Sequence, residues 1–226
     1  MWMISDEAYR ELLYVNHQPS SIWGLKDNIL PGIAGRRISI ETTSKVWNAC
    51  GLRIGALVSD SKDFHERAVA EATASLCSNA IGQYIFGSLA HVTRDELHQW
   101  YRKQRKYYFD MLFSFTQELK NKLPGLIISS PDASIYSVVD VRNIAKLGFD
   151  ALNFVMWCAT KGSVAINDVE MTLLVSPMAE FYTVCKGAKN PGTTQMRIAY
   201  VESAADMKKV PFLFAELFKK YENQRN

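Results

Sequence analysis

An α/β fold is predicted by three features of the 226-residue chain. Short runs rich in β-branched residues, at 37–41 and 53–58 and again at 126–129, 134–141 and 197–201, read as strands. Helical periodicity takes over from Ser61 to about residue 90 and returns after Thr93. With 48% hydrophobic and 22% charged residues, the composition is that of an ordinary globular chain long enough for one large core or two small ones.

In order along the chain, residues 2–5 of "MWMISDEAYR" read as a buried strand, with Asp6 and Glu7 opening a turn at its end. The start is abrupt, whereas domains more often begin with a loose polar lead, so the opening strand is expected to lie inside a larger sheet. Taken alone, the chain should then expose a strand edge and apolar faces. Residues 17–35 carry prolines and glycines and read as loop. The strands at 37–41 and 53–58 follow, then the helical stretch, so strands and helices are expected to alternate in the first third. "TRDE" is a capping box with Thr93 at the N-cap and Glu96 at N3. No proline or glycine intervenes before Pro124, so the helix should run about 30 residues and about 45 Å. That length suits a bridge between two domains, giving 1–92, a connecting helix 93–123, and 124–226. Beyond it come the strands at 126–129 and 134–141, a helix at 149–160, a short strand near 173–176 and a strand at 197–201. The helical segment from Ser203 must kink or restart at Pro211, which cannot continue a helix unbroken.

Several function classes are disfavoured. A net charge of +3 is too small to argue for nucleic acid or an acidic membrane surface. "QWYRKQRKYYF" (99–109) interleaves basic and aromatic residues, but on one helix these divide into a solvated face and a packed face. No run approaches a membrane span, and the N-terminus lacks the apolar core of a signal peptide. The scattered cysteines (Cys50, Cys77, Cys158, Cys185) indicate neither zinc nor a disulfide framework and suit a reducing cytoplasm. His17, His65, His91 and His98 lack ligand spacing, so no metal site is expected.

The chemistry gathers at "ETTSKVWNACGLRIG" (41–55). A lysine becomes a nucleophile only when its amine is neutral, and Lys45 has a candidate cationic neighbour in Arg53 to favour that. Thr42 and Ser44 offer hydroxyls and Arg53 a planar fork, a donor set matched to a phosphate dianion. Gly51 and Gly55 are expected to let backbone approach a ligand closely. A reactive amine beside a phosphate handle is what pyridoxal phosphate requires, together with a carboxylate on its pyridine nitrogen. Asp6, at a strand end upstream, can supply that carboxylate, and Tyr9 can donate to the ring oxygen.

"ISDEAYRELLY" (4–14), "TTSKVWNACGLRIG" (42–55) and "MRIAYVES" (196–203) resemble three landmarks of the class I/II aminotransferases, the aspartate-aminotransferase-like branch of the fold type I pyridoxal phosphate enzymes. The resemblance implies Lys45 as the Schiff-base lysine, Asp6 as the pyridinium partner and Tyr9 as the ring-oxygen donor. It further implies Thr42, Ser44 and Arg53 on the phosphate and Arg197 on the substrate α-carboxylate. By it, residues 1–92 are the C-terminal part of the cofactor-binding large domain, a mixed, mostly parallel sheet with helices. The long helix then leads to a small α+β C-terminal domain at 124–226. Amino acid and 2-oxo acid substrates, pyridoxal 5′-phosphate as cofactor and a homodimer follow from the same resemblance.

Departures from the family pattern are visible. Family members are much longer, and the glycine loop, the ring-stacking aromatic and the asparagine they place on the cofactor have no counterpart here. "PDASIY" (131–136) has Ala-Ser where glycines are usual, "SPMAEF" (176–181) has Met178 for a common glycine, and residues 161–171 look like an expansion. The expectation is therefore a C-terminal portion of an aminotransferase, inactive by itself. The alternatives are a lyase of the same family acting at Cβ or Cγ, and a non-catalytic dimerising or binding remnant.

Overall fold

The computed structural model describes residues 1–15, 20–76 and 78–225; part of the loop expected at 17–35, together with His17 and Cys77, lies outside them. The chain divides into two compact units, Met1–Arg105 and Lys106–Asn226, and the division falls inside one long helix.

The first unit is built on a three-stranded sheet in the order β1 (Met3–Asp6), β2 (Arg37–Thr42), β3 (Gly55–Ser59). The pair β1–β2 is parallel, with Asp6 opposite Ile40, and β2–β3 is antiparallel, with Thr42 opposite Gly55. The sheet is thus mixed, with one parallel and one antiparallel ladder among the described residues. Among the described residues no α-helix lies between its strands, so the expected alternation is not seen there; the described connections are turns and short 3-10 segments. The opening strand forms where expected but is not buried. Among the described residues it pairs with β2 alone, and Trp2, Met3 and Ile4 stay exposed. Ile40 and Leu57, on the same face as Ile4 by register, are exposed as well.

The helical stretch resolves into α1 (Lys62–Ser75), capped by the Ser61 hydroxyl on the Phe64 N–H, and α2 (Ala80–Gly87), capped by Asn79 on Gly82. Helix α3 (Arg94–Lys122) opens on the reciprocal capping box. The Glu96 N–H donates to the Thr93 hydroxyl at 3.3 Å, and the Thr93 N–H donates to the Glu96 carboxylate at 2.9 Å. Among the described residues no helix is long and apolar enough to cross a membrane.

The second unit carries an antiparallel sheet in the order β4 (Ile127–Ile128), β5 (Tyr136–Asp140), β9 (Gln195–Ala199), β8 (Ser176–Pro177). Period-two alternation sends Ser137, Val139, Met196 and Ile198 into the core and leaves Tyr136, Val138 and Arg197 on the other face. Helix α4 (Ala151–Thr160) is capped by Asp150. The expected strand near 173–176 shrinks to β8, starting at Ser176. The stretch read as an expansion carries the hairpin β6 (Val164–Ile166) and β7 (Val169–Met171). Its turn residues Asn167 and Asp168 both take positive φ, the backbone a two-residue primed turn demands. The C-terminal helix does restart, as α5 (Ala204–Met207) and α6 (Val210–Gln224), with Pro211 in the first turn where its missing N–H costs nothing. Phe154, Phe214 and Leu217 pack at or near zero exposure in this unit.

Candidate functional site

Asp6 ends β1, Thr42 ends β2, and the loop that follows carries Ser44 and Lys45. Because β1 and β2 are parallel, both stretches emerge at the same edge of the sheet, beyond the strands' carboxyl ends. Since β3 is antiparallel, its start, just after Arg53, returns to that edge too. A crevice beyond the carboxyl ends of parallel strands is where such sheets bind ligands. Asp6 and Thr42 also share one face of the sheet by register.

Hydrogen bonds within the loop fix its shape. The Thr42 hydroxyl lies 2.9 Å from the Ser44 hydroxyl and accepts from the Ser44 N–H at 3.1 Å. Buried Thr43 closes the base of the loop: its N–H and its hydroxyl both donate to the Ile54 carbonyl, and its own carbonyl accepts from the Ala49 N–H. Lys45 is half-buried, with Nζ 5.9 Å from the centre of the Tyr9 ring. Asp6 accepts from the Ala8 N–H at 3.1 Å, which curls the chain toward Tyr9. Arg53 is exposed and sits in the left-handed region at φ 52°, donating to the Cys50 carbonyl at 3.0 Å. It belongs to this edge, but its guanidinium is turned onto its own loop.

The glycine expectation needs correcting. A Cβ on Gly55 would stand 2.8 Å from the Glu41 carbonyl oxygen, so the β2–β3 ladder itself requires that glycine. Around Gly51 there is open space within 4 Å, and its φ is not positive, so no close approach is built there.

Behind the edge lies a charged network that the sequence reading did not single out. Glu7 is 5% exposed and accepts from the Ile22 N–H at 2.7 Å, from the Ser21 hydroxyl at 2.8 Å and from Arg10. Arg10 also reaches Glu41 at 2.9 Å. Burial alone would raise the Glu7 pKa, but the bonds from Ile22, Ser21 and Arg10 outweigh it and hold it below the usual carboxylate value. Glu7 thus ties the turn between Asp6 and Tyr9 to the 20–25 segment. The spacing Glu7 to Arg10 was the available signal for it.

Past Lys45, Trp47 stacks on Trp100 at 5.3 Å, and Gln104 donates to the Val46 carbonyl at 2.6 Å. These contacts seat the residues that follow Lys45 on the first turns of α3.

A family model for aminotransferase class I and II matches residues 1–208 of this sequence. The chain belongs to that family. An aspartate aminotransferase from Musicola paradisiaca is 27% identical over 172 residues, which are 74% of this chain and 39% of that protein. Two solved structures show the fold. N-succinyldiaminopimelate aminotransferase from Mycobacterium tuberculosis gives a TM-score of 0.72 at 18% identity, over 96% of this chain and 50% of that one. α-Aminoadipate aminotransferase from Thermus thermophilus, solved with N-(5′-phosphopyridoxyl)-L-leucine, gives 0.73 at 17%, over 97% and 50%. The chain spans about half the length of these solved relatives.

Arg197 lies in the second unit, on β9 opposite Val138 and Ser176. Its Cζ lies 4.5 Å from the centre of the Tyr136 ring and 4.9 Å from that of Phe181. Among the described residues no carboxylate or carbonyl accepts from its guanidinium. The buried Cys158 thiol, pushed by burial up to about 12, is a core group and not a nucleophile.

Proposed function

We propose that this chain carries the lysine-bearing part of a pyridoxal-phosphate-dependent aminotransferase site, with Lys45 as the amine that bonds the cofactor. The observation that supports it is the meeting of Asp6, the Thr42–Ser44 hydroxyl pair and the Lys45–Tyr9 pair at one sheet edge. These residues fit the group. They bring an amine, a carboxylate, a phenol and paired hydroxyls to the carboxyl end of a parallel strand pair, and the donor set suits a phosphorylated aldehyde.

When bound, pyridoxal phosphate supplies an electron sink for negative charge developing at the substrate's α-carbon. The Asp6 carboxylate would keep the ring nitrogen protonated, and Tyr9 would donate its hydroxyl to the ring oxygen. Thr42 and Ser44 would donate to the phosphate, joined by Arg53 once its guanidinium leaves the Cys50 carbonyl. Lys45, as general base and then acid, would carry the proton taken from the α-carbon. Arg197, with unused donors, would grip the α-carboxylate common to the amino acid and the 2-oxo acid. A cytoplasmic homodimer completes the reading, resting on the family resemblance and on the free thiols Cys50, Cys158 and Cys185. With only half the length of its solved relatives, the chain alone is proposed to bind the cofactor weakly and to turn over little.

Titrating pyridoxal phosphate into the purified chain tests this through the visible absorbance of the bound cofactor. A band that appears with the parent and is lost in Lys45→Ala is expected; a band indifferent to that substitution would reject the proposal. Dependence of any turnover on a 2-oxo acid separates an aminotransferase from a lyase.

A further inference from the structure

We propose that Tyr136 and Phe181 are positioning residues that hold the Arg197 guanidinium flat, with its N–H edge free for a carboxylate; this rests on the reading of Arg197 as the α-carboxylate partner. A guanidinium can use its faces and its edge independently. Stacking occupies the faces, while the in-plane donors remain able to bind a carboxylate with two prongs. Arg197 has that division: two aromatic rings lie within 5 Å of its Cζ, and no acceptor among the described residues takes its donors.

The two rings arrive by different routes. Tyr136 pairs with Ala199 across the β5–β9 ladder, so it is the diagonal neighbour of Arg197 on the same sheet face, within reach for an aromatic side chain. Phe181 is 54% exposed. Its backbone is nevertheless firmly anchored. The Phe181 N–H donates to the Met178 carbonyl at 3.0 Å, and Asn190 donates to the Ala179 carbonyl at 2.9 Å. The next residue, Tyr182, donates its hydroxyl to Gln195 at 2.5 Å, and Gln195 donates in turn to buried Asp140 at 3.0 Å. Gly192 lets the turn before β9 lie directly on this segment, since a Cβ there would stand 2.5 Å from the Met178 carbonyl oxygen. An exposed phenylalanine held by so many polar anchors presents its ring to Arg197 instead of filling a core.

Removing one ring should leave Arg197 in place in sequence but free to swing, so part of the carboxylate's binding energy goes into ordering it. The expected loss is roughly 3- to 10-fold in carboxylate affinity per ring. The test uses the chain as it stands, following the Arg197 Nε–Hε signal by nitrogen-15 NMR while 2-oxobutyrate is added, with its uncharged amide as the control. Phe181→Leu and Tyr136→Leu remove a ring, Phe181→Tyr and Tyr136→Phe keep one, and unchanged amide signals away from the site confirm folding. Support is a saturable shift with the acid alone, weakened in both leucine variants and restored in both aromatic ones. If the leucine variants bind as tightly as the parent, the positioning role is overturned while Arg197 keeps its carboxylate. If Arg197 in the parent ignores the acid or responds equally to the amide, the reading of Arg197 falls and this proposal falls with it. Phe181 lies mostly outside the core, so Phe181→Leu decides the matter even if Tyr136→Leu fails to fold.

Discussion

Replacing Glu7 by alanine should do more damage to the first unit than its single charge suggests. The carboxylate is almost wholly buried, and its loss would strand the Ile22 N–H, the Ser21 hydroxyl and one side of the Arg10 guanidinium. Breaking a buried, hydrogen-bonded pair by removing one member typically costs about 3–5 kcal/mol. Arg10 keeps Glu41 and its side chain is 27% exposed, so the lower end, about 3 kcal/mol, is appropriate. Glu7→Gln retains an acceptor oxygen for Ile22 and Ser21 but turns its amide NH2 toward Arg10, losing that charge-assisted bond, about 1.5 kcal/mol. Urea unfolding followed at the indole of Trp23, which donates to Ser39 close by, reads both variants. With a slope of about 1–3 kcal/mol/M, the alanine variant's midpoint should fall by roughly 1–3 M and the glutamine variant's by about half that. Equal midpoints for alanine and glutamine, or a shift too small to measure in either, would refute the view that buried hydrogen bonds and not charge alone hold the turn between Asp6 and Tyr9.

Two further outcomes are expected. Arg53→Gly removes left-handed strain of about 1 kcal/mol but adds unfolded-state entropy of similar size, so melting should barely move. Pyridoxal phosphate affinity should nonetheless drop about tenfold or more for the lost charge-assisted donor, as an absorbance titration would show. For Asp140, burial would raise the pKa, but bonds from Arg142, Gln195 and Thr194 outweigh it and hold the carboxylate below its ordinary value. A depressed carboxylate stabilises the fold above its unfolded pKa, about 3.9, and loses that contribution as pH falls through the folded one. Melting curves of the parent and Asp140→Asn should therefore differ most near neutrality and converge below about pH 4; a gap that stays constant down to pH 2.5 would show that Asp140's charge is not what matters.

What the sequence made legible was local. The Thr93–Glu96 box, the uninterrupted run to Lys122 and the restart at Pro211 are each governed by residues a few positions apart, and each formed as read. The edge gathering Asp6, Thr42, Ser44 and Lys45 was legible only as a pattern of residue types, since its geometry depends on a parallel β1–β2 register set by distant residues. The hairpin at Val164–Met171 escaped because Asn167-Asp168 lacks the glycine that usually marks a primed turn, although both residues tolerate positive φ. Residues 2–5 read as a buried strand, but the chain taken alone was expected to expose that strand's edge, and the exposed Trp2, Met3 and Ile4 match this expectation. The rings beside Arg197 and the donors Ser21 and Ile22 that bond Glu7 come from residues 14 to 61 positions away, and no spacing rule reaches that far.

The central claim is that Lys45 bonds the cofactor, and borohydride trapping followed by peptide mapping tests it most directly. The purified chain is incubated with pyridoxal phosphate, reduced and digested, and the label is located. A label confined to the peptide containing Lys45, absent from Lys45→Ala and unchanged in Arg197→Lys, is the predicted result. A label spread over the surface lysines, or fixed on another lysine, would contradict it.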